Sequence, residues 1–305
     1  MSNIIAVIWD FDKTLVNGYM QDPIFEEYKV DSKEFWNEVN SLPEKYKKEQ
    51  GVKVNPDTVY LNQFIKYTKQ GIFKGLNNSK LKEFGEKLNF YNGIPEIFKK
   101  TKKLIEEDSR YKEFDIKVEH YIVSTGITQI IKGSVVNDFV DGIWGCEFIE
   151  DLISDDSDEK IISEVGFTID NTTKTRALFE INKGVNKRED VEVNTKIPND
   201  LRRIPFNNMI YIADGPSDIP AFSVVKKNGG KTFAIYPKED KIAFKQVEQL
   251  RIDNRIDMYA EADYTEGTTT FMWISNKIGE IAENIYNKEK NKISNSISSI
   301  PKHIT

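Results

Sequence analysis

Ile4-Ile5-Ala6-Val7-Ile8-Trp9-Asp10-Phe11-Asp12-Lys13-Thr14 opens with six apolar residues and then breaks into two carboxylates. A short, continuous apolar run bounded by polar residues suits a strand buried on both faces. Two further runs behave alike. Val118 to Val123 ends in Ser124-Thr125-Gly126, and Met209 to Ala213 ends in Asp214-Gly215-Pro216. Buried strands interleaved with helices predict an α/β fold with a parallel sheet.

Between the first two strands the period changes. Leu61, Phe64, Ile65 and Thr68 repeat at helical spacing, as do Ile97, Phe98, Thr101, Leu104 and Ile105 after Pro95, read as a first-turn proline. Asn92-Gly93 is a turn signal just before that second helix. These patterns predict a core of residues 1–15 and 92–287, with residues 16–91 as an inserted helical domain. Phe139 to Asp151 is weakly strand-like. Asp155-Asp156-Ser157-Asp158-Glu159 reads as a solvated turn, because the ligand spacing and glycine of a calcium loop are absent. The Lys-, Asn- and Ser-rich residues 288–305 predict a frayed, flexible tail. Residues 108–117 and 184–203 carry no signal that assigns them a role.

Composition narrows the function classes. The 305 residues are 39 % hydrophobic with 17 glycines, enough apolar material for a packed core. A net charge of −6 lacks the basic footprint of a nucleic-acid binder. A single cysteine, Cys146, excludes an internal disulfide and a Cys-rich zinc site; two distant histidines, His120 and His303, argue against a His-based triad. No stretch approaches the ~20 apolar residues of a membrane helix, and the first residues lack a secretory pattern, so a cytoplasmic protein with no membrane partner is expected.

The chemistry gathers at the strand ends, where open α/β sheets place their ligands. Asp10 and Asp12 follow the first strand. Ser124, Thr125 and Gly126 follow the second and offer a hydroxyl and backbone N–H groups as an anion cradle. Lys174 lies in Asn171-Thr172-Thr173-Lys174-Thr175-Arg176 at a helix start, where a cation opposes the helix dipole. Asp214 and Asp218 follow the third strand, across a Gly-Pro bend.

With these four motifs in this order, the sequence resembles the haloacid dehalogenase-like (HAD) superfamily, in its phosphoserine-phosphatase-like branch. The resemblance covers roughly residues 3–15 and 92–285. It implies a Rossmann-like, doubly wound parallel sheet with an inserted helical cap. It also implies a magnesium-dependent phosphatase that hydrolyses a small phosphorylated metabolite. In that reading Asp10 is the nucleophile that becomes an aspartyl phosphate, and Asp12 is the general acid and base. Thr14 positions the loop, while Ser124, with Thr125 and Gly126, holds the phosphoryl oxygens. Lys174 offsets charge. Asp10, the Asp12 carbonyl and Asp214 bind Mg²⁺, with Asp218 supporting the metal's outer shell and Lys174.

The carboxylates make chemical sense of a metal. Four of them would place four negative charges in one crevice; Lys174 and a divalent ion bring the sum to one negative charge. Like charges this close raise carboxylate pKa values, and Asp12 is the member suited to hold a proton. Asp12 also points to a phosphatase or a phosphomutase, since by resemblance carbon–halogen-cleaving members lack it. A phosphotransferase, or a non-catalytic phosphate-binding module, is the alternative; the module would be expected to have lost one of these groups. Phosphoserine is not the expected substrate. The family's amine-binding glutamate falls by offset on Tyr19, and no arginine precedes Arg110. Tyr19 and the aromatic-rich insertion would instead suit a cationic head group such as phosphocholine.

Overall fold

The structure, a computed structural model, describes residues 3–153 and 158–297. In chain order the elements are β1 (Ile4–Trp9), α1 (Asp22–Tyr28), α2 (Ser32–Gln50), α3 (Val59–Lys69), α4 (Asn78–Gly85), α5 (Glu96–Glu106), α6 (Ser109–Glu113), β2 (Lys117–Ile127) and α7 (Thr128–Gly133). They continue with β3 (Gly142–Leu152), β4 (Lys160–Phe167), α8 (Lys174–Lys183), β5 (Met209–Ala213), α9 (Ile219–Lys227), β6 (Lys231–Tyr236), α10 (Lys241–Ile252), β7 (Met258–Glu261) and α11 (Thr269–Ile297). The strands form one sheet in the order β4-β3-β2-β1-β5-β6-β7. Every pairing is parallel except β3 with β4.

The order explains the apolar runs. β1 lies at the centre, with β2 on one side and β5 on the other, so its residues have no solvent face. Trp9 points toward α5, where its ring meets Phe98 edge-on at 5.5 Å and its indole N–H donates to His120 Nδ1 at 3.1 Å. That bond leaves Nε2 of His120 to carry the proton and face Thr101 Oγ1 at 3.0 Å. Burial, with the charge of Lys102 adding to it, pushes the imidazole down to about 3, so it stays neutral in the core. Cys146 is likewise a fully buried core residue, its thiol pushed up to about 11 by burial.

The insertion between β1 and α5 is helical, as its periodicity predicts, and its interior is aromatic. Phe25, Phe35, Phe64 and Phe73 are buried, with Phe25 and Phe35 centroids 4.8 Å apart and Phe64 and Phe73 5.1 Å apart. The insertion is seated on the rest of the chain by a glycine pair between α4 and α7. A Cβ on Gly85 would stand 2.1 Å from Ile130 O, and one on Gly133 would stand 1.9 Å from Lys82 O. Only glycine permits two helix backbones to approach this closely.

Two expectations change. Residues 288–297 continue α11, where composition predicts a frayed tail; the helix carries a buried stripe of Ile274, Ile278, Ile281 and Ile285 ahead of its polar end. The tail residues 298–305 and positions 155–157 of the acidic turn lie outside the described residues. Pro95 caps α5 rather than sitting in its first turn. Of the two unassigned stretches, 108–117 holds the short helix α6, with Arg110 paired to Asp108 and Glu283. The 184–203 stretch is tied down by Lys183 Nζ donating to Val193 O and Thr195 O, and by Arg203 pairing with Glu119. Among the described residues no helix is long and apolar enough to cross a membrane.

Candidate active site

The ladder register carries the motifs to one edge. Trp9 pairs with Ile122 on one side and Ile212 on the other, so Asp10, Val123-Ser124 and Ala213-Asp214 continue three neighbouring strands together. Asp10 N–H donates to Ile212 O at 2.9 Å and fastens the start of the loop to β5. The loop then turns sharply. Leu15 N–H and Val16 N–H both reach back to Phe11 O, and Lys13 takes a left-handed φ of 55°. Thr14 is buried in this turn; its hydroxyl donates to Asp10 Oδ2 at 3.2 Å, and its carbonyl accepts from Tyr264 at 2.6 Å.

Lys174 is the first residue of α8, and only 1 % of it is exposed. Its ammonium donates to Asp10 Oδ1 and to Asp218 Oδ1, each at 2.7 Å. Burial alone would lower its pKa; the charges of Asp10 and Asp218 outweigh that and hold it charged. Asp218 is fully buried, and its remaining lone pairs are also met: Tyr211 donates to Oδ1 at 2.5 Å and Ser217 to Oδ2 at 2.8 Å. Asp214 differs. It accepts no hydrogen bond from any described residue, and burial, then the charges of Asp10 and Asp218, raise its carboxyl to about 7 against the pull of Lys174. Asp10 is raised to about 6 by burial, opposed by Lys174 and supported by Asp218. These values refer to a metal-free site.

Asp12 Oδ1 accepts from Met20 N–H at 2.8 Å. Its carboxyl is raised well above the ordinary aspartate value, first by burial and then by the charge of Asp10. The same Met20 reaches the end of β2 with its sulfur, which accepts from Ile127 N–H at 3.1 Å. Met20 packs so closely on Gly126 that a Cβ there would stand 2.0 Å from Met20 Cε. Gly126 is therefore required by the methionine. Its N–H donates to Ser124 Oγ at 3.0 Å and is not a free donor of the cradle. The segment also does not follow the strand, as its sequence suggests, since β2 runs through it to Ile127. The strand registers skip 124–126, and Thr125 O receives Tyr60 OH from α3 at 2.9 Å.

Tyr19 is 40 % exposed beside this loop, near Trp36. One face of its ring carries the Lys13 ammonium, 4.4 Å from the centroid. The place expected for a cationic head group is thus held by the protein's own cation. Lys13 lies within the field of Asp12 and Asp214, which raise its pKa together with Tyr19 against burial.

The structure thus brings Asp10, Thr14, Lys174 and Asp218 into direct contact and places Asp214 beside them. Carboxylate oxygens of Asp10, Asp214 and Asp218 lie within 4.8 Å of one another. Asp218 already serves Lys174, Tyr211 and Ser217, which leaves Asp10 and the unpartnered Asp214 as the carboxylates with capacity for a cation. An all-oxygen, partly exposed donor pair of this kind fits a hard divalent ion that keeps waters. Lys13, Met20, Tyr60, Tyr211 and Tyr264 were not singled out by sequence reasoning for this site. Only Lys13, one residue beyond Asp12, carried a visible signal.

No protein-family model matches the chain. An uncharacterized protein of Borreliella burgdorferi is 39 % identical over 287 residues, covering 90 % of this chain and 97 % of that one. A HAD family hydrolase from Salmonella enterica subsp. enterica serovar Typhi superposes with a TM-score of 0.50 at 13 % identity, over 85 % of this chain and 67 % of that one. That likeness concerns the fold. The chain belongs to one family with the Borreliella burgdorferi protein, and its fold is like that of a HAD family hydrolase.

Proposed function

We propose that the protein is a magnesium-dependent phosphatase that hydrolyses a small phosphomonoester through an aspartyl phosphate on Asp10. The observation that carries the reading is the buried Lys174 ammonium, 2.7 Å from Asp10 Oδ1, beside an Asp214 carboxylate that has no hydrogen-bond partner among the described residues. A nucleophilic carboxylate must be ionised, and the Lys174 ammonium beside it opposes the protonation that burial favours and offsets the repulsion between Asp10 and an incoming phosphate dianion.

Asp10 and Asp214, with the Asp12 carbonyl, would hold Mg²⁺; when bound, the ion supplies positive charge to the phosphoryl oxygens. The side chains do the rest. Thr14 and Lys174 occupy one oxygen each of Asp10 and orient the carboxylate. Attack forms an Asp10 oxygen–phosphorus bond and breaks the bond to the leaving oxygen. Asp12, held protonated by burial and by Asp10, gives its proton to that oxygen. The resulting Asp12 carboxylate then takes a proton from the water that cleaves the acyl phosphate. Dividing the displacement into two steps lowers each barrier. Ser124 and the N–H of Thr125 would hold the phosphoryl group, with the helical insertion acting as a cap over the leaving group.

Lys13 on the face of Tyr19 disfavours a quaternary ammonium substrate and leaves a neutral or anionic leaving group as the better fit. A cytoplasmic setting accords with a single unpaired cysteine. The reading is tested by assaying the protein on a panel of phosphorylated metabolites with Mg²⁺ and with EDTA, beside Asp10→Asn. Metal-dependent phosphate release that the substitution abolishes is expected; release that survives Asp10→Asn would overturn it.

A further inference from the structure

We propose that Tyr211 is a positioning residue, which through Asp218 keeps the Lys174 ammonium against Asp10. The inference rests on the reading of Asp10 as the nucleophile, but its test below does not depend on turnover.

β5 reads Met-Ile-Tyr-Ile-Ala and is buried along its whole length. An aliphatic residue would satisfy such a position; a tyrosine brings a hydroxyl that must find a partner. Its partner is Asp218 Oδ1 at 2.5 Å, the same oxygen that accepts from Lys174. The phenol has little freedom. Tyr211 is paired with Ile8 in the central ladder, and its ring stands edge-on to Phe222 of α9 at 5.4 Å.

Lysine is a point charge on a four-carbon stem and does not fix its own direction. Here the direction is imposed by the two carboxylates that bracket it. One of them, Asp218, is in turn held by Tyr211 at Oδ1 and Ser217 at Oδ2. Loss of the phenol frees Asp218 Oδ1 to rotate toward Lys174 alone. The ammonium can then drift from Asp10 without any change in the groups that touch a substrate. The consequence is a loss in kcat with KM retained.

The test follows the Lys174 ammonium by ¹⁵N NMR in the metal-free full-length protein. Tyr211→Phe is compared with wild type and with Tyr121→Phe. Tyr121, on β2, is a second buried phenol, bonded to Glu119 and to Arg203 of the stretch before β5, and serves as the control for losing a buried hydroxyl. Hydrogen bonds to charged groups set the scale: proton exchange at Lys174 should quicken by about tenfold or more in Tyr211→Phe and stay unchanged in Tyr121→Phe. The kcat should fall by about tenfold with KM within about twofold. Exchange in Tyr211→Phe equal to wild type, or matched by Tyr121→Phe, would overturn the inference. Absent phosphatase activity in wild type would sink the functional reading while the exchange comparison still decided this one. Should Tyr211→Phe not fold, 3-fluorotyrosine at 211 keeps the shape and changes the phenol's acidity. A shifted Lys174 exchange rate then supports the role, and an unshifted one refutes it.

Discussion

Replacing Lys174 by methionine tests the electrostatics of the site without reference to any substrate. Methionine keeps most of the volume and removes the charge. Asp10, 6 % exposed, and Asp218, fully buried, would then face each other with no cation between them. Breaking a buried ion pair from one side costs about 3–5 kcal/mol. With an unfolding entropy of about 2.1 cal/mol/K per residue, a chain of 305 residues should lose about 5–8 °C in Tm. The loss should depend on pH. The lysine's pKa is raised in the folded state, so its contribution is fully present at pH 8. At pH 5.5 Asp10, already raised to about 6 by burial with Lys174 in place, can take up a proton, which relieves the repulsion and shrinks the penalty. Thermal unfolding of wild type and Lys174→Met across pH 5.5 to 8 reads both effects. A penalty under about 1 kcal/mol at pH 8, or one that does not change with pH, would refute the argument.

Asp12→Asn should lower kcat by about 10²–10⁴ while leaving Mg²⁺-dependent stabilisation in place, as steady-state kinetics beside a thermal-shift titration would show. Mg²⁺ at about a hundred times its Kd should add about 2.7 kcal/mol to wild-type stability and little to Asp214→Asn. At one fixed Mg²⁺ concentration the gain should be larger at pH 8 than at pH 5.5. Asp214 is raised to about 7, so in the folded, metal-free protein it contributes stability that is present at low pH and lost as pH rises through that value. At pH 5.5 the ion must displace its proton. An Mg²⁺ response that is equal at the two pH values would count against this placement of the metal.

Much of the sheet was legible because its central strands are buried on both faces and so read as uninterrupted apolar runs. Asp10, Ser124 and Asp214 stand where those runs stop. β4 was not legible: Lys160-Ile161-Ile162-Ser163-Glu164-Val165 mixes charge with apolar residues, as an edge strand does, and pairs antiparallel with β3. Helix α11 was read short because its polar end resembles a tail once its isoleucine stripe has passed. The site residues that went unseen share one cause. Met20, Tyr211 and Tyr264 look like ordinary core residues, and what distinguishes each is a contact that the fold creates. Tyr264 reaches a carbonyl 250 positions away, and Met20 a backbone amide 107 positions away. Gly126 was misread for the same reason: its freedom from a side chain serves Met20, which the one-dimensional motif does not contain.

The central claim is that Asp10 accepts a phosphoryl group. Rapid acid quench during turnover of whichever phosphomonoester proves active, followed by peptide mass spectrometry, tests it most directly. The account predicts an acid-stable, hydroxylamine-sensitive phosphoryl group on the peptide that contains Asp10, accumulating in Asp12→Asn and absent from Asp10→Asn. Turnover with phosphate release but no phosphorylated Asp10 in any variant, together with an active Asp10→Asn, would contradict it.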